Sequence, residues 1–146
     1  MTEIDPDCIV MQRFIVPGEP VSKARPRFGV RRGRIVTYSD PAMVAAERKV
    51  AAAYRAAALP GPPHSGEVML RATFYCGTRR RKDLDNMIKL VSDALNGVAY
   101  EDDSQVVSIA ATVHRGEPDP RSDVWIIPLA PACEPEPIPA ATKEAA

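Results

Sequence analysis

Between residues 68 and 98 the apolar spacing changes period, from two to about 3.6, across a link of four bases and two acids. VMLRATFYC (68–76) alternates as a strand of a half-buried sheet. After the link RRRKDLD (79–85), Met87, Leu90, Val91, Ala94, Leu95 and Val98 fall at i, i+3, i+4, i+7, i+8 and i+11, one apolar stripe of a helix. Asn86, Lys89 and Asp93 lie off that stripe, and Asn96-Gly97 supplies a stop. A strand with one apolar face followed by a helix with one apolar stripe has to pack helix on sheet.

The flanking segments fit the same frame. RFIV (13–16) reads as a short strand ended by PGEP, and VSKARPRFGVRRGRIVTYSDP follows as a basic segment. Its prolines forbid a continuous helix, and Gly29 and Gly33 suggest a hairpin or a flexible loop. Ser39 or Asp40 caps the next element, with Pro41 in its first turn, and the alanine-rich run that follows predicts a helix over 41–58. SQVVSIAATVHR and DVWIIPLA read as two further strands separated by the turn GEPDPRSD. The expected class is α+β: one domain over residues 13–128, a mixed sheet with helices packed on it. Residues 1–12 form a loose lead-in. Residues 129–146, rich in Pro, Ala and Glu, have too few large apolar side chains to join a core, and a disordered tail is expected.

At 146 residues the chain is long enough for one real core and too short for two domains. Cys8, Cys76 and Cys133 are far apart and odd in number, which supports neither a disulfide framework nor a zinc site. No apolar run is long enough to span a bilayer, and Glu3, Asp5 and Asp7 replace the basic start of a signal peptide, so the expected location is the cytoplasm. The formal net charge of zero conceals an uneven distribution. Residues 13–121 carry 18 of the 19 bases and 12 of the 19 acids, a net +6, and the remaining acids lie towards the two ends. A basic body suits a polyanionic partner.

The acids of the central segment suggest what is done to that partner. Asp83 and Asp85 flank Leu84 at the strand-to-helix junction, Lys89 follows one helical turn after Asp85, and Asp102 and Asp103 open the next strand. If strand pairing returns one of that second pair to the first, three carboxylates converge beside one lysine. Such an oxygen-rich set suits magnesium, which takes one or two carboxylates and keeps its other positions for water and phosphate, with manganese as a substitute. Lys89 would orient the nucleophile or neutralise charge in the transition state. Converging acids repel a phosphate backbone, and three basic blocks offset that repulsion: Lys23, Arg25 and Arg27; Arg31, Arg32 and Arg34; and Arg79, Arg80, Arg81 and Lys82. The blander alternative is that an Asp before a helix serves as its N-cap and dipole partner. His64 and His114 stand alone, Ser22, Ser92 and Ser108 have no visible triad partners, and no phosphate-binding glycine loop occurs.

DLDNMIKLVSDALNGVAYEDDSQV (83–106) resembles the RusA-type Holliday junction resolvases of bacteria and their phages, in which D-L-D-N, a lysine, D-A-L-N-G and D-D-S-Q-V follow in that order. PGEPVSKARPRF, then YSDP and a helix containing Glu47, is similar to the N-terminal half of many phage members. The resemblance spans residues 14–113. It implies a homodimeric, magnesium-dependent endonuclease that nicks four-way DNA junctions symmetrically, with catalytic carboxylates at Asp83, Asp85 and Asp103 and a catalytic lysine at Lys89. The acidic, proline-rich tail lies outside the pattern. Two other classes compete: a junction-binding protein of the same fold without nuclease activity, and a metal-dependent hydrolase of small nucleotides, which would not require three basic blocks.

Overall fold

The computed structural model describes residues 11–129, apart from residues 26, 39, 59 and 60. Strands β1 (Gln12–Pro17), β4 (Val68–Cys76), β5 (Val106–Arg115) and β6 (Arg121–Pro128) form one sheet in the order β1-β6-β4-β5. β6 pairs antiparallel with β1 and with β4, whereas β4 and β5 are parallel, so the sheet is mixed. Parallel neighbours need a crossover connection, and helix α2 (Leu84–Leu95) lies within it. A separate two-stranded sheet is made by β2 (Arg27–Arg31) and β3 (Arg34–Tyr38), and α1 (Pro41–Ala57) follows. The architecture is the expected α+β domain.

The alternation in β4 does what its period requires. Val68, Leu70, Ala72, Phe74 and Cys76 are buried, and they join Phe14 and Val16 of β1, Val124 and Ile126 of β6 and the apolar stripe of α2 in one core. Met87, Ile88, Leu90, Val91, Ala94 and Leu95 are the buried positions of α2. The helix ends at Leu95, so Val98, the last member of the sequence stripe, lies beyond it. Gly97 makes that ending possible, with φ at +76° and its N–H donated to the Tyr100 carbonyl. Tyr100 is fully buried, and its hydroxyl donates to the Ser92 carbonyl at 2.7 Å, satisfying an orphan acceptor of the last turn.

In α1, the Asp40 carboxylate accepts the Ala42 N–H at 2.9 Å and Pro41 takes the first helical position. The basic segment resolves into a hairpin, β2–β3. Its turn holds Arg32 at φ +52° and Gly33 at φ +73°, the left-handed pair of a two-residue hairpin loop. On the opposite side of the main sheet, Trp125 lies between the guanidinium groups of Arg13 and Arg71, 5.0 and 5.3 Å from its ring centre. Arg13 also donates two hydrogen bonds to buried Asp123, at 2.9 and 2.6 Å. The lead-in up to residue 10, the tail from residue 130, and with them Cys8 and Cys133, lie outside the described residues.

Candidate active site

The link between β4 and α2 is held by a staple. Lys82 donates to the Glu19 carboxylate at 2.9 Å and to the Pro20 carbonyl at 2.8 Å, while the other Glu19 oxygen accepts the Gly77 N–H at 2.8 Å. Partial burial raises the pKa of Glu19, and the bonds from Lys82 and Gly77 outweigh it, leaving the carboxyl below its ordinary value. Of the four bases in the link, Lys82 is therefore committed to the fold, while Arg79, Arg80 and Arg81 remain exposed.

Asp83 is the N-cap residue of α2 by position, and its carbonyl accepts the first helical bond, from the Met87 N–H at 3.1 Å. Its side chain does not cap. One carboxylate oxygen accepts from the Asn86 amide at 3.2 Å, and the group otherwise faces solvent. Asp85 follows in the first turn, also exposed. A carboxylate at an N-cap that leaves the helix N–H groups alone is free for another cation, which weighs against the capping alternative. Asp83 and Asp85 line an open groove of about 570 Å³. Arg81, Lys82 and Arg115 supply its cationic rim, and Ile88 and Ile109 its apolar floor.

The remaining acids are divided by role. The Asp102 carboxylate accepts the Ser104 hydroxyl at 2.5 Å, and the Asp102 N–H donates to the Gln105 side chain at 2.8 Å. The Ser104 bond holds the Asp102 carboxyl below its ordinary pKa. Asp102 thus shapes the turn before β5, and Asp103 beside it is exposed. The parallel pairing sets Val106 against Val68 and Arg115 against Cys76. Asp103 consequently stands where β4 begins, whereas Asp83 and Asp85 follow the end of β4. Neither Asp103 nor Lys89 is among the walls of the Asp83–Asp85 groove. Lys89 is exposed and forms no ion pair among the described residues. No three His, Cys, Asp or Glu side chains among the described residues lie close enough to hold a metal together. The expected convergence of three acids beside Lys89 does not occur within the single chain, because β5 runs parallel to β4 and starts at its far end.

Lys23 also departs from expectation. Its ammonium pairs with Asp93 of α2 and lies 3.6 Å from Glu47 of α1, and its backbone N–H donates to the Asn86 carbonyl at 3.0 Å. Burial lowers the pKa of Lys23, and the two acids more than compensate, leaving it raised. Lys23 is a clasp joining the basic segment to both helices. Arg25, Arg27, Arg31, Arg32 and Arg34 are exposed. Sequence reasoning missed Arg115 and Ile109 in the groove and Glu19 beneath Lys82; Glu19 and Lys82 are 63 residues apart, and only the position of Glu19 in PGEP could have singled it out.

No helix among the described residues is long and apolar enough to cross a membrane. The family model for endodeoxyribonuclease RusA matches residues 17–127. The uncharacterized protein YqaN of Bacillus subtilis (strain 168) is 32% identical over 141 residues, covering 82% of this chain and 96% of its own length. The matched span begins at the end of β1, just before the Glu19 staple and the Lys23 clasp, contains the Asp83–Asp85 groove and closes in β6. Residues that hold the fold together and residues left free in the groove thus fall within one family pattern, and the chain belongs to the RusA endodeoxyribonuclease family.

Proposed function

We infer that this protein is a divalent-metal-dependent endonuclease acting on branched DNA, four-way junctions above all, and that it works as a homodimer. The observation that carries the reading is the pair of exposed, uncapping carboxylates, Asp83 and Asp85, in a groove rimmed by Arg81, Lys82 and Arg115. Their donor chemistry fits magnesium, a hard cation that needs only one or two carboxylates and shares phosphate oxygens with its substrate. Asp83 and Asp85 would hold the ion, and Asp103 would complete the set. When bound, such an ion polarises the scissile phosphate and makes its water a better nucleophile. The protein's own part is to fix the two carboxylates on the rigid start of α2, to hold the flanking phosphates with Arg81 and Arg115, and to offer the Lys89 ammonium one turn along.

Dimerisation follows from the task and is supported by the sheet. Two opposed nicks need two sites related by the two-fold symmetry of the junction. β5 is an edge strand whose sequence carries no formal charge before Arg115, with Val107 and Ile109 about half exposed. Unprotected edges of this kind recruit another strand. Antiparallel pairing of two β5 strands would lay the start of one, with its Asp103, beside the Arg115 end of the other, where the groove lies. That arrangement accounts for the separation of Asp103 from Asp83 and Asp85 in the single chain.

The test is a labelled four-way junction and a linear duplex of the same sequence, each with and without Mg²⁺. The wild type is expected to nick the junction symmetrically, only with the ion, and to leave the duplex intact. Asp85→Asn should lower the nicking rate about a hundredfold or more while junction binding persists or strengthens, because a carboxylate that repels phosphate has been removed. Equal nicking of both substrates would sink the junction-selective reading, and loss of binding with the fold intact would remove Asp85 from catalysis.

A further inference from the structure

The β2–β3 hairpin has two chemically different faces, and both are exposed among the described residues. Opposed residues of an antiparallel pair point to the same side, and successive pairs alternate. Phe28 opposite Thr37 and Val30 opposite Ile35 therefore make one face. Phe28, Val30 and Ile35 are 74%, 78% and 78% exposed. The other face carries Arg27 opposite Tyr38, Gly29 opposite Val36, and Arg31 opposite Arg34. Tyr38 lies across it so closely that its hydroxyl would be 1.6 Å from a β-carbon on residue 29, so a larger residue there would have to displace the exposed tyrosine ring.

The arginines at the tip work against the hairpin itself. Like charges directly opposite one another destabilise a strand pair, as Arg31 and Arg34 must. Arg32 occupies a left-handed position, φ +52°, that Asn or Gly would fill with less strain. Together the three arginines and Val36 border an open groove of about 640 Å³. Between Glu19 and Asp40 there is no acid to neutralise them. Concentrated and strained positive charge without an acidic partner among the described residues calls for a polyanion. The hairpin is also rooted at the candidate active site, since the Lys23 clasp just before it binds the Asn86 carbonyl in the first turns of α2. The Asn86 side chain in turn bonds to Asp83, so the segment leading into the hairpin is tied to the helical turn that carries the groove's carboxylates.

We propose that this hairpin reads the branch point: its arginine face holds backbone phosphates, and its apolar face, led by Phe28, enters the branch against bases that have lost their stacking partners. The inference rests on the reading of branched DNA as substrate. Apolar and aromatic wedges that unstack bases, and aromatic side chains on which unpaired bases stack, are general devices of nucleic-acid binding. In perfect duplex no base face is free, so the apolar face adds nothing there, whereas a branch offers the faces it needs. The hairpin is thereby a source of selectivity for branched over linear DNA.

The experiment uses the full chain and a four-way junction carrying 2-aminopurine at a branch-point base, with Ca²⁺ replacing Mg²⁺ to hold back cleavage. Wild type should raise the fluorescence as that base unstacks. Phe28→Thr, Val30→Thr and Ile35→Thr are combined in one variant, because threonine keeps strand propensity and the three side chains support no core. The variant should lose most of the fluorescence rise and bind the junction about tenfold more weakly, with duplex affinity and the salt dependence of binding unchanged, since no charge has been removed. Unaltered fluorescence and junction affinity would overturn the proposal, as would failure of the wild type to bind junctions. A fall in sedimentation coefficient for the variant would also overturn it, by assigning the apolar face to contacts between copies of the chain. Nicking in Mg²⁺ is scored in parallel: a wild type that opens the branch without cutting defeats the nuclease reading and leaves the branch-reading role standing.

Discussion

Asp83, Asp102 and Tyr100 show how polar side chains divide between holding the fold and facing the groove. Both aspartates precede a helical turn, and both accept one local side-chain bond, Asp102 from the Ser104 hydroxyl and Asp83 from the Asn86 amide, but the Asp83 side chain leaves the backbone N–H groups of α2 unserved. An uncapped N-terminus costs about 1 kcal/mol, and at Asp83 that cost keeps a carboxylate at the groove. Tyr100 is wholly structural. Burial pushes its phenol up to about 12 from the ordinary 10.0, with the Ser92 hydrogen bond opposing that shift. A folded-state pKa above the unfolded value means that this contribution to stability is complete below about pH 10 and is lost as pH rises through about 12. Ultraviolet titration should show one tyrosinate forming at about 12, and Tyr100→Phe should abolish that step and cost about 1 to 2 kcal/mol by orphaning the Ser92 carbonyl. Persistence of the step in the variant would assign it to another tyrosine.

Among the elements, α2 and the hairpin do opposite things with charge. On α2, Asp93 and the Asn86 carbonyl are consumed by Lys23, which ties the basic segment to the helix that carries Asp83 and Asp85. On the hairpin, Arg31, Arg32 and Arg34 are left exposed, with Arg31 and Arg34 in mutual repulsion. If all three hold phosphates, each releases counterions worth about 0.9 in the slope of log affinity against log salt on duplex DNA. Replacing Arg31, Arg32 and Arg34 together by alanine should flatten that slope by about 2 to 3 units, with a much smaller effect on nicking at saturating enzyme, because the Asp83–Asp85 groove is untouched. A salt titration of junction affinity decides the matter: parallel lines with equal affinities would turn the hairpin tip away from DNA. The arginine and threonine variants separate the two faces, since only the first alters the salt slope and only the second the base unstacking.

At the scale of the whole molecule, the parallel β4–β5 pair sets the main constraint. It sends Asp103 to the start of β4 and leaves β5, beside the groove, as an edge strand among the described residues. If two copies join along that edge and each groove takes Asp103 from its neighbour, subunits with different defects should complement one another. Asp85→Asn and Asp103→Asn homodimers should each be inactive. Dimers formed by mixing them contain one site with both defects and one with none, and should nick a single strand of the junction. Inactivity of mixed dimers, verified as dimers by sedimentation, would return Asp103 to its own chain or remove it from catalysis.

The sequence by itself determined the longer elements and the candidate acids and bases. Period two in VMLRATFYC and the apolar stripe of α2 follow from local geometry, as do the Asp40-Pro41 start of α1 and the Asn96-Gly97 stop, and all are present in the fold. The D-L-D-N motif and the basic blocks were equally visible, since residue type and spacing carry them. What only the tertiary structure decided is which charges are free. Lys23 and Lys82 resemble the arginines around them in sequence, yet their partners Asp93 and Glu19 lie 70 and 63 residues away, distances over which spacing carries no information. Strand order decided the rest. Nothing in SQVVSIAATVHR states that it runs parallel to β4, because alternation fixes which face of a strand is buried and is silent about its direction and its neighbour. For that reason the three acids, gathered within 21 residues of sequence, separate in the fold to the two ends of one strand.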